Sequence, residues 1–244
     1  MKIKLMILAA GLGTRLGDLG KHTPKCLLEV GGKTLLEHIL IRAKAAGIHE
    51  IVINLHHQAD KIKDFLNQNK NFDFKIEFST EDPVLETGGG INKAKALLAD
   101  AEMILIHNGD IYSDLDLSLL IKTHSSEKSL ATLCVSDRDS SRGLVFNAAN
   151  QLCGWSNKST AENKLVIDPG QDVRYKGFSG IYALSTKIFD FMPLQEKFSI
   201  IDVFLTAAKS GEKLFGMDIS ETNWFDSGTP EKLELLKSHL EKLG

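Results

Sequence analysis

The chain has 244 residues, 43% of them apolar and 25% charged, with a formal net charge of -3 at pH 7. That is the composition of an ordinary folded globule, long enough for one large α/β domain burying roughly 70–75% of its unfolded surface. It offers no general attraction to nucleic acid or to an anionic membrane, so any recognition of phosphate must be local.

Cys26, Cys134 and Cys153 are odd in number and contain no CxxC pair, which suits a reducing compartment. No apolar run approaches transmembrane length. The apolar stretch after Lys4 is only about six residues long before a glycine-rich loop, too short for a secretion signal. A cytoplasmic location is expected.

The first element is an apolar run (Ile3, Leu5, Met6, Ile7, Leu8) that reads as a buried strand. Ala9, Ala10 and Gly11 then let the backbone turn tightly, and Gly13 adds a second permissive position. With Arg15 and Lys25 at either end, the stretch 8–25 reads as a polyphosphate cradle, since successive backbone N–H groups make an anion-binding concavity. It is not a P-loop, because no Gly-Lys-Ser/Thr follows. Nor is it a dinucleotide fingerprint, because Leu16 occupies the third glycine position.

Further along, residues 26–30 end at Gly31-Gly32. A helix then puts Leu35, Leu36, Ile39, Leu40, Ala43 and Ala46 on one face and stops at Gly47. A strand at 50–54, a helix at 59–67, strands at 75–78 and 103–106 and a helix at 115–123 complete an alternation typical of βαβ units. From about residue 130 strands predominate (130–135, 144–146, 175–184, 213–217), with polar, poorly periodic sequence over 147–172. A helix begins near Ser199, and another has Thr229 as N-cap, Pro230 at its first position and Glu231 facing the dipole. One domain over 1–244 is expected: a nucleotide-binding half (about 1–125), an acceptor half (about 126–228) and a C-terminal helix (229–243).

Asp110 follows the most apolar strand, where ligands of open α/β sheets bind. Asp226 closes a second short strand before the capped helix. Two acids on separate strand ends suit Mg²⁺, which takes one or two carboxylates and completes its octahedron with substrate phosphate and water. Asp114 and Asp116 form a DxD, read here as helix-capping residues. His56-His57 has no partner at metal-ligand spacing and reads as a surface pair.

Gly11-Leu12-Gly13-Thr14-Arg15 followed by Thr23-Pro24-Lys25 resembles the signature of the sugar-1-phosphate nucleotidyltransferases. The resemblance extends to Leu85-Glu86-Thr87-Gly88-Gly89-Gly90 (a base-contacting loop), Asn108-Gly109-Asp110, Phe178-Ser179-Gly180-Ile181-Tyr182 and Trp224-Phe225-Asp226-Ser227-Gly228-Thr229. The Glu-Thr-Gly-Gly-Gly run looks most like the N-acetylmuramate-1-phosphate uridylyltransferases. The chain departs from the family at Gly17-Asp18-Leu19-Gly20, at Cys26 after Pro24-Lys25, and at Asn157, which stands where an acid is usual.

What the resemblance implies is a Rossmann-like mixed, mostly parallel sheet flanked by helices. It also implies Mg²⁺-dependent transfer of a nucleotidyl group from a nucleoside triphosphate, UTP, to a sugar 1-phosphate, N-acetylmuramate 1-phosphate, giving a nucleotide sugar and pyrophosphate as in cell-wall sugar recycling. Arg15 would meet the leaving pyrophosphate, Lys25 the α-phosphate, and Asp110 and Asp226 the metal. Leu8, Ala9, Ala10, Gly11, Gly13, Thr14, Glu81 and Gly88 would contact the nucleotide, and Gly143, Asn157, Lys158 and Gly180 the sugar phosphate. A Glu81 carboxylate accepts N–H from uracil or guanine alike, and Arg142 or Arg174 could meet a lactyl carboxylate. Guanylyl transfer to mannose or heptose 1-phosphate, uridylyl or thymidylyl transfer to glucose 1-phosphate, and a non-catalytic sugar-nucleotide sensor stay open as alternatives. A metal-dependent glycosyltransferase would leave the N-terminal signature without a purpose.

Overall fold

The computed structural model describes residues 1–242. Its first half alternates strand and helix: β1 (Ile3–Leu8), α1 (Asp18–His22), β2 (Glu29–Val30), β3 (Lys33–Thr34), α2 (Leu35–Ala45), β4 (Glu50–Leu55), α3 (Ala59–Gln68), β5 (Lys75–Thr80), α4 (Glu86–Lys93), α5 (Lys95–Leu98), β6 (Met103–Asn108), β7 (Ile111–Ser113) and α6 (Leu117–Glu127). The second half contains β8 (Ala131–Ser136), β9 (Arg142–Phe146), β10 (Leu152–Asn157), β11 (Glu162–Leu165), β12 (Arg174–Leu184), α7 (Ile200–Lys209), β13 (Leu214–Asp218), β14 (Trp224–Asp226) and α8 (Pro230–Glu241). Leu243, the last residue of the expected C-terminal helix, lies outside the described residues.

One mixed sheet runs β11-β10-β9-β12-β6-β1-β4-β5, with β8 and β13 branching from β12. It is parallel from β6 through β1 and β4 to β5 and turns antiparallel at β12, which pairs with β6, β8 and β9. This is the expected Rossmann-like mixed sheet flanked by helices. Side chains of β1 and β6 alternate between two cores. Met6, Ile104 and Ile106 pack with α4, α5 and α7 on one face, and Leu5, Ile7, Met103 and Leu105 pack with α2, α3 and α6 on the other. Burial on both faces is why these strands read as continuous apolar runs.

Local chemistry fixes the helix starts. Thr34 and Glu37 form a capping box at α2, and Thr229 caps α8 with Pro230 in its first turn. Gly31 and Gly32 both have positive φ (56° and 74°), the conformation of a two-residue hairpin turn, and they join β2 to β3. Asp116 caps α6 through the Ser118 N–H, as read from the sequence. Asp114 instead accepts the Asn223 N–H (2.9 Å) and side-chain amide (2.6 Å), so it fastens the loop before β14 rather than a helix.

Three expectations are corrected. The stretch 147–172 holds β10 and β11. Its periodicity is hidden because all four residues of β11 are exposed at the sheet edge. The cradle segment is not loop throughout, since α1 occupies the stretch that departs from the family pattern. Gly88-Gly89-Gly90 lie inside α4 rather than in a loop. Close packing overrides glycine's poor helix propensity there, because a Cβ on Gly89 would fall 2.1 Å from the Glu196 carbonyl oxygen.

Candidate active site

Strand register aligns the carboxyl ends that carry the site: Leu8 stands opposite Asn54 on one side and Asn108 on the other. Beyond these ends a cavity of about 200 Å³ is lined by Leu8, Ala9, Ala10, Gly11, Lys25 and Asp110, with Glu81 and Thr87 opposite. A buried polar relay shapes it. The Ala9 N–H donates to Asn54 Oδ1 (2.6 Å), Asn54 Nδ2 donates to Glu81 Oε1 (2.6 Å), and the Leu85 N–H donates to Glu81 Oε2 (2.9 Å). The relay ties the cradle's first residue to the start of α4.

Asn54 was not singled out in the sequence, although the strand-end rule that selects Asp110 selects it equally. Glu81, only 1% exposed, borders the cavity with both carboxylate oxygens already accepting protein hydrogen bonds. The expected base contact of Gly88 is corrected. Its N–H donates to the Phe198 carbonyl (3.0 Å), and Glu86 and Thr87 line the cavity in its place. Gly13 (φ 68°) and Thr14 turn the cradle outward, and Thr14 lines a neighbouring surface hollow with Lys21 and His57.

The charged groups meet where this cavity adjoins a second one of about 210 Å³, lined by Arg15, Asn108, Asp110, Arg138, Gly180 and Asp226. Lys25 Nζ donates to Asp110 Oδ2 at 2.8 Å, and Lys232 Nζ to Asp226 Oδ2 at 2.5 Å. The Gly228 N–H fills Asp226 Oδ1 (2.7 Å). The two acids are locked side by side. β14 pairs with β7 so that Asp226 faces Ile111, and the Ser227 N–H and hydroxyl both donate to the Asp110 carbonyl. Burial would raise the Asp226 pKa, but Lys232, the Gly228 N–H and the Arg15 charge together hold it below the ordinary carboxylate value. Arg15 lies against Gly228, where an added Cβ would stand 3.0 Å from its Nη2. Gly180 takes positive φ (75°) at an irregularity of β12, and its backbone presses on the Asn108 side chain.

Gly143 and Lys158 line a small cavity with Arg138 and Lys176. Asn157 ends β10 paired with Arg142 and Glu162, and its side chain turns back to accept the Ser159 N–H (3.0 Å). Arg174 donates to Asp172 (2.9 Å) and Asn150 (3.1 Å).

The sequence profile of the family described as nucleotidyl transferase matches residues 4–242. The chain belongs to that family. An N-acetylmuramate alpha-1-phosphate uridylyltransferase of Neisseria meningitidis serogroup B is 42% identical over 125 residues, 51% of this chain and 54% of that relative. A mannose-1-phosphate guanylyltransferase of Mycobacterium tuberculosis is 28% identical over 94% of this chain and 62% of its own length. The chain thus spans between half and two thirds of these relatives. The crystal structure of HddC from Yersinia pseudotuberculosis complexed with GMP-PN superposes with a TM-score of 0.77 at 26% identity, over 100% of both chains.

The family's divalent cation has a chemically suitable place here. Asp110 and Asp226 offer hard oxygen donors, and among the described residues no group of three His, Cys, Asp or Glu competes as a soft or closed metal cage. A pair of carboxylates with room beside it suits a hard divalent cation that retains water and substrate oxygens.

Proposed function

We propose that this chain transfers a nucleotidyl group from UTP to N-acetylmuramate 1-phosphate, releasing pyrophosphate, in the cytoplasmic recycling of cell-wall sugar. The observation that carries the reading is the convergence of Arg15, Lys25, Asp110 and Asp226 from three distant segments at the junction of two cavities. Phosphoryl transfers of this kind are catalysed by positioning and by neutralising charge on phosphoryl oxygens. The nucleotide base and ribose occupy the first cavity, beside Ala9, Ala10, Gly11, Glu81 and Thr87. Asp110 and Asp226 would hold Mg²⁺, which would supply charge neutralisation at the phosphate oxygens.

Lys25, beside Asp110, meets the α-phosphate, and Arg15 meets the departing pyrophosphate. Lys158 holds the sugar phosphate. The attacking phosphate is already ionised near pH 7, so no side chain serves as general base. Each charge-assisted hydrogen bond contributes about 1.5–3 kcal/mol against about 0.5–1.5 for a neutral one, which is why the cations and the metal dominate.

UTP and N-acetylmuramate 1-phosphate are preferred because the uridylyltransferase relative is 42% identical over half this chain. Guanylyl transfer is the second reading. It is favoured by the relative matched over 94% of the chain and by the HddC complex with GMP-PN. Pyrophosphate release from UTP, GTP and dTTP, each paired with N-acetylmuramate, mannose, heptose and glucose 1-phosphates, with and without Mg²⁺, tests all of this. Release with UTP and N-acetylmuramate 1-phosphate alone is expected. Release with GTP and mannose or heptose 1-phosphate overturns the substrate assignment, and none with any pair makes the chain a sensor.

A further inference from the structure

Arg138 leaves the end of β8, and its guanidinium comes to rest where, among the described residues, no carboxylate pairs with it. Its Cζ lies over the Trp224 indole, 3.7 Å from the ring centroid, and Nη2 donates to the Phe178 carbonyl. Gly177 makes the room for this path, since a Cβ there would stand 2.8 Å from Arg138 Cγ and Nε. Nη1 is buried and has no hydrogen-bond partner among the described residues. Lys176, lining the same small cavity, is by contrast neutralised by Asp137 and Asp218, each at 2.7 Å. Burial works against the Arg138 charge, and Asp226 across the cavity works for it.

A guanidinium held over an aromatic ring with a free buried N–H is a preorganised anion receptor. A buried donor left without a partner is costly until an acceptor reaches it. Position identifies the acceptor. Arg138 borders both the cavity of Arg15, Asp110 and Asp226 and the small cavity of Gly143 and Lys158. The group that must touch both is the phosphate of a sugar 1-phosphate, with its attacking oxygen toward the metal carboxylates and its sugar on the other side.

We infer that Arg138 binds this phosphate and aims its nucleophilic oxygen, a role that rests on the reaction proposed above. The contact with Trp224 fixes the fork, and the unpartnered Nη1 supplies the hydrogen bond.

The test compares wild type with Arg138→Met and Arg138→Lys in the full chain, using N-acetylmuramate 1-phosphate and N-acetylglucosamine 1-phosphate, which differ by one lactyl carboxylate. In Arg138→Met, kcat/KM for either sugar phosphate should fall by about 10- to 150-fold, the equivalent of one charge-assisted hydrogen bond. The KM for the triphosphate should stay within about threefold, and Arg138→Lys, which keeps stem and charge, should lose less. Partial recovery of Arg138→Ala on adding guanidinium separates recognition from a merely structural role. Unchanged kcat/KM in both variants, or a loss confined to the lactyl-bearing sugar, overturns the assignment to phosphate. A wild type that turns over neither sugar phosphate overturns the underlying reaction instead.

Discussion

Lys25 Nζ stands 2.8 Å from Asp110 Oδ2, joining the loop after β1 to the turn after β6 across 85 residues of sequence. Both side chains are partly buried, at 15% and 23% exposure. A pair this accessible stabilises the fold by little more than a surface ion pair, about 1 kcal/mol. Its value to the proposed reaction is larger, because Lys25 is a preorganised cation at the reacting phosphate.

Lys25→Met should therefore lower turnover about 10²- to 10³-fold, the loss typical of a preorganised transition-state donor, while shifting Tm by only a few degrees. Pyrophosphate release and a thermal melt measure the two. Turnover within tenfold of wild type would remove Lys25 from the mechanism.

Asp226 is bound by Lys232, and a cation cannot take that carboxylate fully while the ammonium holds it. Lys232→Met should strengthen divalent-metal binding a few-fold, and Asp226→Asn should weaken it at least about tenfold, since a carboxylate ligand is lost. Mn²⁺ titration followed by electron paramagnetic resonance reads the affinity without turnover. Unaltered Mn²⁺ binding in Asp226→Asn would place the metal elsewhere.

In an exposed helix Gly→Ala gains about 1 kcal/mol, but Gly90 should show the opposite sign. A Cβ there would lie 2.5 Å from Glu81 Oε1 and 2.8 Å from Asn54 Nδ2, prising apart the buried pair that supports the cradle. Gly90→Ala is expected to cost about 1–3 kcal/mol of stability, as overpacking does, and to weaken triphosphate binding. Urea denaturation and nucleotide titration test it, and a stabilised variant would show that the relay yields freely.

His124 is buried against Thr132 (2.9 Å) and Ser129 (3.3 Å), and burial lowers its pKa from 6.5 to about 4. Burial moves His107 likewise to about 4. Between these values the unfolded chain binds more protons than the folded one. Their stabilisation is thus complete above pH 6.5 and is lost as the pH falls toward 4. Wild type should lose stability between pH 7 and 5, and His124→Gln should show a shallower dependence in urea denaturation at both pH values. An identical slope would exclude His124 as a contributor.

The sheet's parallel half was legible because burial on both faces writes uninterrupted apolar runs, as in residues 103–106. The edge was not, since Glu162–Leu165 is exposed throughout and carries no alternation. Of the site, Arg15, Lys25, Asp110 and Asp226 were named because strand ends and a glycine-rich turn mark them locally. Glu81 was placed at the cavity but not in its hydrogen bonds, and Gly88 was misjudged because Phe198, far along the chain, takes its N–H. Arg138 escaped because its meaning lies in Trp224 and Gly177, which only the folded sheet brings beside it.

A small core cluster sets Leu16 of the cradle and Leu28, Val30, Leu35 and Tyr112 against Leu233 and Leu236 of α8. A loop near the start of the fold is thus seated on α8, far along the sequence. A chain lacking α8 should carry a cradle that proteases cut readily, and competence to hold a ligand should arrive only once that helix is in place.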